Sequence, residues 1–153
     1  MALGLTVLAA SAAGRAERGP SRPLSTAQSD YIEYCAGCHG IQGSSEPARI
    51  PRLAGRVGYF LCLPEGRDYL IRLPNVAHAA IADPQELAEM MNFVVFTLGR
   101  DGIPDGARPY TGAEVARLRP LALKTGTSLA AVRAELVEKL IRRCGAPESL
   151  RAN

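Results

Sequence analysis

Apolar residues recur at helical spacing in two long segments of the chain. In the first, Asp83 is suited to be an N-cap, Pro84 takes the first helical position and Glu86 falls in the first turn. A helix is therefore predicted from Pro84 to Leu98, with Gly99 as its C-terminal stop. Its wide apolar face consists of Leu87, Met90, Met91, Val94, Val95 and Leu98.

The second segment lies near the C-terminus. Thr127 or Ser128 is predicted to cap a helix that runs to about Arg143, and Gly145 closes it. Its apolar stripe consists of Leu129, Val132, Leu136, Val137, Leu140 and Ile141. An amphipathic helix of this kind must bury its stripe, and the preceding part of the chain is the simplest place for it.

Three shorter helices are predicted between turn-rich segments. One is capped by Ser25 or Thr26 and leads into Cys35, and a second covers residues 66–73. A third follows a capping box formed by Thr111 and Glu114.

The segments between these helices are rich in glycine and proline. Residues 40–58 are predicted to be a loop, and residues 99–109 a linker. Because no run alternates between apolar and polar residues with a period of two, the chain is predicted to be all-α.

Composition and charge narrow the function. A chain of 153 residues has room for one domain and an appendage, and its 47% hydrophobic content is ordinary for a globular protein. Aromatic residues make up only 5%, and Trp is absent, so a bulky prosthetic group would help to fill the core. A formal charge of +3 argues against a nucleic-acid binder and allows a weakly basic face for docking an acidic partner protein.

The N-terminal segment suggests export. Residues 1–13 are apolar and rich in small residues, too short to span a bilayer, and Ala10-Ser11-Ala12 fits a signal-peptidase site. No basic residue precedes the apolar run, but a buried N-terminal helix would carry a polar face that this segment lacks. We therefore expect a signal peptide over 1–13, a flexible lead-in over 14–23, a periplasmic location and no membrane span after processing.

The motif Cys35-Ala36-Gly37-Cys38-His39 allows three kinds of chemistry. A thioredoxin-like dithiol needs a βαβ context, which the helical pattern does not offer. A structural zinc site needs a fourth ligand, which would have to be Cys62 or Cys144. Haem c needs only what the motif contains, because two thiols form thioethers to the haem vinyl groups and the adjacent imidazole binds iron. One covalently bound haem c is therefore the expected cofactor.

With this motif the chain resembles the class I type of single-haem bacterial cytochromes c, over about residues 26–98. The resemblance implies a helical cytochrome c domain (24–100) around one haem, followed by a helical C-terminal extension (101–153). It also implies that Pro51, twelve residues past His39, accepts the N–H of the His39 ring through its carbonyl and that Leu53 packs on the haem.

The sixth iron ligand departs from the family pattern, which places a methionine on the loop before the final helix. No methionine occurs between Gly40 and Glu89, and Met90 and Met91 fall on the apolar helical stripe. His78 occupies the corresponding loop and is the distal ligand we expect. The alternatives are water or no ligand, and then Met90 or Met91.

Other residues have more general roles. In an oxidising compartment Cys62 and Cys144 are expected to form a disulfide, the alternative being two unrelated buried thiols.

Five arginines lie on the loops around the proposed haem: Arg49, Arg52, Arg56, Arg67 and Arg72. Arg52 and Arg56 flank the Pro-x-Leu segment and are the preferred partners of the haem propionates. Tyr59 and Tyr69 are expected to be packing residues.

These features together predict a protein that carries one electron, as a shuttle or as the cytochrome subunit of a redox complex, rather than an enzyme. Its expected partner is a dehydrogenase or an oxidase. The alternative is an open-site haem protein, either peroxidase-like or a small-ligand sensor, for which no distal acid–base pair can be named besides His78.

Overall fold

The computed structural model describes residues 23–44, 50–124 and 128–152. Within these ranges the chain consists of helices and turns without a strand, which confirms the all-α prediction. The predicted signal peptide (1–13) and all of the lead-in except Pro23 lie outside the described residues. None of the described helices combines the length and the apolar character needed to cross a membrane.

The α-helices follow one another with short connections. They are α1 (Thr26–Tyr34), α2 (Ala36–His39), α3 (Pro64–Arg72), α4 (Pro74–Ala77), α5 (Pro84–Asn92), α6 (Gly112–Leu118) and α7 (Leu129–Cys144). Single 3-10 helical segments cover Val57–Cys62, Arg100–Gly102, Arg119–Leu121 and Glu148–Arg151, and a π-helical turn covers Phe93–Leu98.

Local capping signals set most helix starts. Ser25, rather than Thr26, caps α1: its Oγ accepts the backbone N–H of Gln28, and its own backbone N–H donates to the Gln28 side-chain oxygen. Asp83 accepts a hydrogen bond from the backbone N–H of Gln85 at 2.9 Å. Ser128 caps α7, which ends at Gly145 in the left-handed conformation with φ of 65°.

Three elements differ from the prediction. Helix α3 begins at Pro64 rather than at Gly66, because Pro64 takes the first helical position. The long predicted helix keeps α-helical geometry only to Asn92 and then widens into the π-turn, which ends with Gly99 N–H bonding to the carbonyl of Val94 at 3.1 Å. Only half of the predicted capping box exists at Thr111, because the Glu114 carboxylate binds Arg67 instead.

The core joins both predicted parts of the chain. Helix α1 packs against α5 and the π-turn, where the rings of Tyr31 and Phe93 lie 5.6 Å apart. The same apolar cluster includes Tyr110, Val115, Leu118, Leu136, Val137, Leu140 and Leu150 from the region after residue 100. The boundary at residue 100 stays a prediction about chain organisation.

Candidate haem site

A cavity of about 420 Å³ lies between α2, the segment 50–57, helices α3 to α5 and helix α7. Its volume is in the range of ordinary ligand sites, which run from roughly 300 to 1,000 Å³. Most of its wall is apolar, formed by residues such as Leu53, Val57, Phe60, Leu70 and Val94. The cavity therefore suits a largely apolar ligand.

The thiols of the Cys-x-x-Cys-His motif border this cavity. Tyr31 receives the N–H of Cys35 at its carbonyl, and α2 then begins, so that Cys35, Cys38 and His39 all reach the cavity wall. Cys35 is half-buried and Cys38 is exposed, and both are free. Burial, and then the neighbouring Cys38, raises the pKa of the Cys35 thiol to about 11, in contrast to the lowered values of reactive dithiols.

His39 is oriented by a backbone carbonyl. Its Nδ1 lies 3.0 Å from the Pro51 oxygen, so a proton on Nδ1 is donated to that oxygen and the Nε2 lone pair is left for another partner. Burial lowers the pKa of His39, which favours the neutral imidazole that metals bind. The Pro51 segment is itself fixed, because the carbonyl of Gly43 accepts the N–H groups of Leu53 and Ala54 at 2.9 and 3.0 Å.

The proposed propionate partners separate into two groups. Arg52 and Arg56 both line the cavity. Arg67 and Arg72 do not, because Arg67 binds Glu114 and the Arg72 guanidinium donates to the Leu121 carbonyl. Arg49 lies outside the described residues.

The two tyrosines occupy packing positions. Tyr69 is buried and stacks on Phe60 with ring centroids 5.6 Å apart, at the cavity wall. Tyr59 is partly buried beside the core, and its ring lies so close to Gly102 that no Cβ would fit there.

The candidate distal ligands lie in different surroundings. His78 follows α4 as its C-cap and is exposed, outside the residues that line the cavity, although Pro74, Asn75 and Val76 just before it belong to the wall. Met91 is buried and lines the cavity, whereas Met90 is buried elsewhere in the core.

Cys62 and Cys144 are joined by a disulfide, with S–S of 2.05 Å and Cα–Cα of 6.3 Å. Neither sulfur is therefore available as the thiolate that a zinc site would need. No cluster of three or more His, Cys, Asp or Glu side chains suited to a metal ion occurs in the described part of the chain.

Sequence reasoning missed the contribution of the C-terminal extension to this cavity. Leu129, Ala130 and Arg133 of α7 line it, together with Leu150 of the last 3-10 segment. The amphipathic stripe of α7 indicated that the helix packs on the rest of the chain, but only the fold shows that its first two turns face the cavity. Arg133 lies one helical turn from both Leu129 and Val137, so it falls on that stripe. A charged residue on an otherwise apolar face is the signal that could have selected it.

The cavity residues fit a haem. Two free thiols lie at the wall beside an imidazole whose second nitrogen is already hydrogen-bonded, and the remaining wall is apolar with arginines among its members. Paired thiols suit the haem vinyl groups, the imidazole suits iron, and guanidinium groups suit the two propionates. A helical fold with such a site defines a protein class that holds a haem covalently.

Comparisons with known proteins agree with that class. The chain is 30% identical to a cytochrome c-552 of Thermus thermophilus, over 63% of this chain and 78% of that protein. A second cytochrome c-552 of the same species is also 30% identical, over 56% of this chain and 78% of that protein. No family model matches, and no solved structure matches significantly. The chain belongs to the cytochrome c family, the electron-transfer proteins that carry haem c.

Proposed function

We propose that this protein is a periplasmic carrier of one electron, with a single haem c attached through thioethers to Cys35 and Cys38. The observation that carries the proposal is the common cavity, at whose wall both thiols, the His39 imidazole and the Pro51 carbonyl meet. When bound, haem supplies the one-electron change at iron. His39 is the proposed proximal ligand, held in one tautomer by Pro51.

The residues around the cavity would keep the structural change of the haem site small when an electron is gained or lost. The apolar wall would keep water away from a bound haem, and Leu53 supplies part of that wall. Arg52 and Arg56 are the proposed partners of the haem propionates, which would compensate carboxylate charge beside the apolar wall. The proposed redox partner, a dehydrogenase or an oxidase, would then exchange electrons with a site of fixed geometry.

His78 is the proposed distal ligand in this carrier. Its side chain would have to turn from solvent towards the cavity, next to which Val76 already lies. Coordination by two imidazoles gives a lower potential than coordination by histidine and methionine.

A second candidate function is favoured by the exposed position of His78. If the side chain stays in solvent, the sixth position is open to water or to a small ligand, and the protein is an open-site haem protein that acts as a sensor or in a peroxidase-like reaction. Met91, at the cavity wall, is the third possibility for this position.

Spectra of the oxidised, haem-loaded protein separate these outcomes. A low-spin wild type that becomes high-spin in His78→Ala, but not in Met91→Leu, supports ligation by His78. The reverse pattern identifies Met91. A high-spin wild type that binds carbon monoxide or cyanide readily overturns the simple carrier and supports the open site.

Attachment and location are tested separately. Haem should stay attached to the denatured wild type and be lost from the denatured Cys35→Ser/Cys38→Ser variant. A periplasmic extract should contain the red protein. A wild type without covalent haem would overturn the proposed attachment, and N-terminal sequencing of the mature chain tests processing after residue 13.

A further inference from the structure

Arg133 of helix α7 is a half-buried cation on the wall of the cavity. Its Nη2 donates to the carbonyl oxygens of Leu150 and Ala152, at 3.0 and 3.4 Å. Among the described residues, its Nε and Nη1 groups have no hydrogen-bond partner and its charge has no carboxylate within ion-pair distance. The Nε and Nη1 donors of Arg133 can therefore bind a ligand.

A second guanidinium lies beside it. Nη1 of Arg56 donates to the same Ala152 oxygen at 3.0 Å, so Arg56 and Arg133 converge on one backbone carbonyl. Glu138, which lines the neighbouring surface groove together with Arg133, binds Arg151 at 2.6 Å. Two like charges therefore meet at a mostly apolar wall without an anion from the described part of the chain.

Two neighbouring guanidinium groups repel each other, and an anion bound beside them would offset that repulsion. Burial is the largest cause that lowers the pKa of Arg133; the neighbouring Tyr69 hydroxyl opposes it, and the charge of Arg56 lowers the pKa further. Charge-assisted hydrogen bonds between guanidinium and carboxylate are about twice as strong as neutral ones. A ligand with carboxylates and a large apolar body matches both the arginine pair and the wall.

We propose that Arg133, together with Arg56, binds the propionate carboxylates of the haem that the proposed function assigns to this cavity. The inference rests on that proposed function and extends it, because the C-terminal extension then contributes directly to the haem site. The disulfide between Cys62 and Cys144 fastens α7 in the position from which Arg133 reaches the cavity. Arg133 thereby also becomes a residue that tunes the potential, since a nearby cation favours the ferrous state, which has one positive charge less than the ferric state.

The test is the midpoint potential of the haem-loaded protein in four variants: Arg133→Gln, Arg133→Lys, Arg56→Gln and Arg143→Gln. Arg143 is the matched control, because it lies on the same helix, is exposed and does not line the cavity. Each glutamine variant removes one positive charge, so any difference between them reports the position of that charge.

We expect Arg133→Gln and Arg56→Gln to lower the potential clearly more than Arg143→Gln, with Arg133→Lys restoring most of the shift. The shift at Arg133 should persist at high salt, because a half-buried charge is screened less than an exposed one. Equal potentials for Arg133→Gln and Arg143→Gln in protein that holds covalent haem would overturn the inference. Arg56→Gln keeps the test valid if Arg133→Gln does not fold, and absence of covalent haem would instead contradict the proposed function.

Discussion

Arg67 of α3 and Glu114 of α6 form a two-point ion pair, with Nε–Oε1 of 2.6 Å and Nη2–Oε2 of 2.7 Å. The Arg67 guanidinium also donates to the carbonyls of Arg108 and Pro109 and lies 4.1 Å from the ring centroid of Tyr110. The pair is 18% and 19% exposed, so solvent screens it only in part. Arg67 thus ties helix α3 to residues 108–110 and to helix α6.

Glu114→Gln should lower the free energy of unfolding at neutral pH by about 1.5–3 kcal/mol, the usual worth of a hydrogen bond to a charged group. The Arg67 hydrogen bonds hold the pKa of Glu114 below its usual 4.5. A lowered folded-state pKa means that the pair stabilises the native state above the unfolded-state value and that this contribution is lost as the pH falls through the folded-state value.

Denaturant unfolding from pH 7 down to pH 3 measures this effect. Wild type should lose stability more steeply than Glu114→Gln on the acid side, so the two curves approach each other. Glu65→Gln is a matched control, because its carboxylate is 45% exposed and 3.9 Å from Lys139. Parallel curves for wild type and Glu114→Gln would contradict the role given to this pair.

Replacement of both Cys62 and Cys144 by serine should destabilise the protein by about 2–5 kcal/mol, as removal of native disulfides commonly does. The bridge spans 82 residues of sequence and ties α7 to the 3-10 segment Val57–Cys62, so the unfolded state gains much freedom without it. Thermal unfolding of the haem-loaded double variant measures the loss. An unchanged unfolding temperature under oxidising conditions would show that packing alone holds α7.

Helix ends were predictable where residues adjacent in sequence satisfy the backbone groups of the first or last turn. Ser25, Asp83 with Pro84, and Ser128 with Gly145 each satisfy backbone groups of their own helix, so neighbouring residues suffice to mark the ends. The π-turn after Asn92 was missed because a wider turn keeps the same apolar residues on the core side, and periodicity does not distinguish the two.

The residues of the candidate site were also predictable only where they lie close together in the sequence. Cys35, Cys38 and His39 follow from the spacing within one short motif, and the role of Pro51 follows from the resemblance to class I cytochromes c. Arg133 was not found because it reaches the cavity only through the folding of α7, far along the chain from that segment. The backbone on both sides of His78 is likewise bound by a residue distant in sequence, Arg119.

Gly58→Ala should prevent stable folding or cost more than about 3 kcal/mol, because a buried clash with backbone has no inexpensive relief. A Cβ at Gly58 would lie 2.3 Å from the carbonyl oxygen of Gly99, where the 3-10 segment beside the cavity meets the end of the π-turn. Yield and unfolding temperature of the purified protein report the effect. Gly37→Ala is the control, since no atom lies within 4 Å of a Cβ there, and equal stability of the two variants would refute the close approach.

The Arg119 guanidinium donates to the carbonyls of Ala77, Ala79 and Ile81 at 2.7–2.9 Å and so holds the chain on both sides of His78. Arg119→Gln should cost about 2 kcal/mol or more, as hydrogen bonds to charged groups are worth about 1.5–3 kcal/mol. Amide exchange over residues 76–81 should accelerate roughly tenfold or more, because the segment opens more often. Arg117→Gln removes an exposed charge nearby and should leave this exchange unchanged. If both variants exchange alike, some other contact keeps His78 in place.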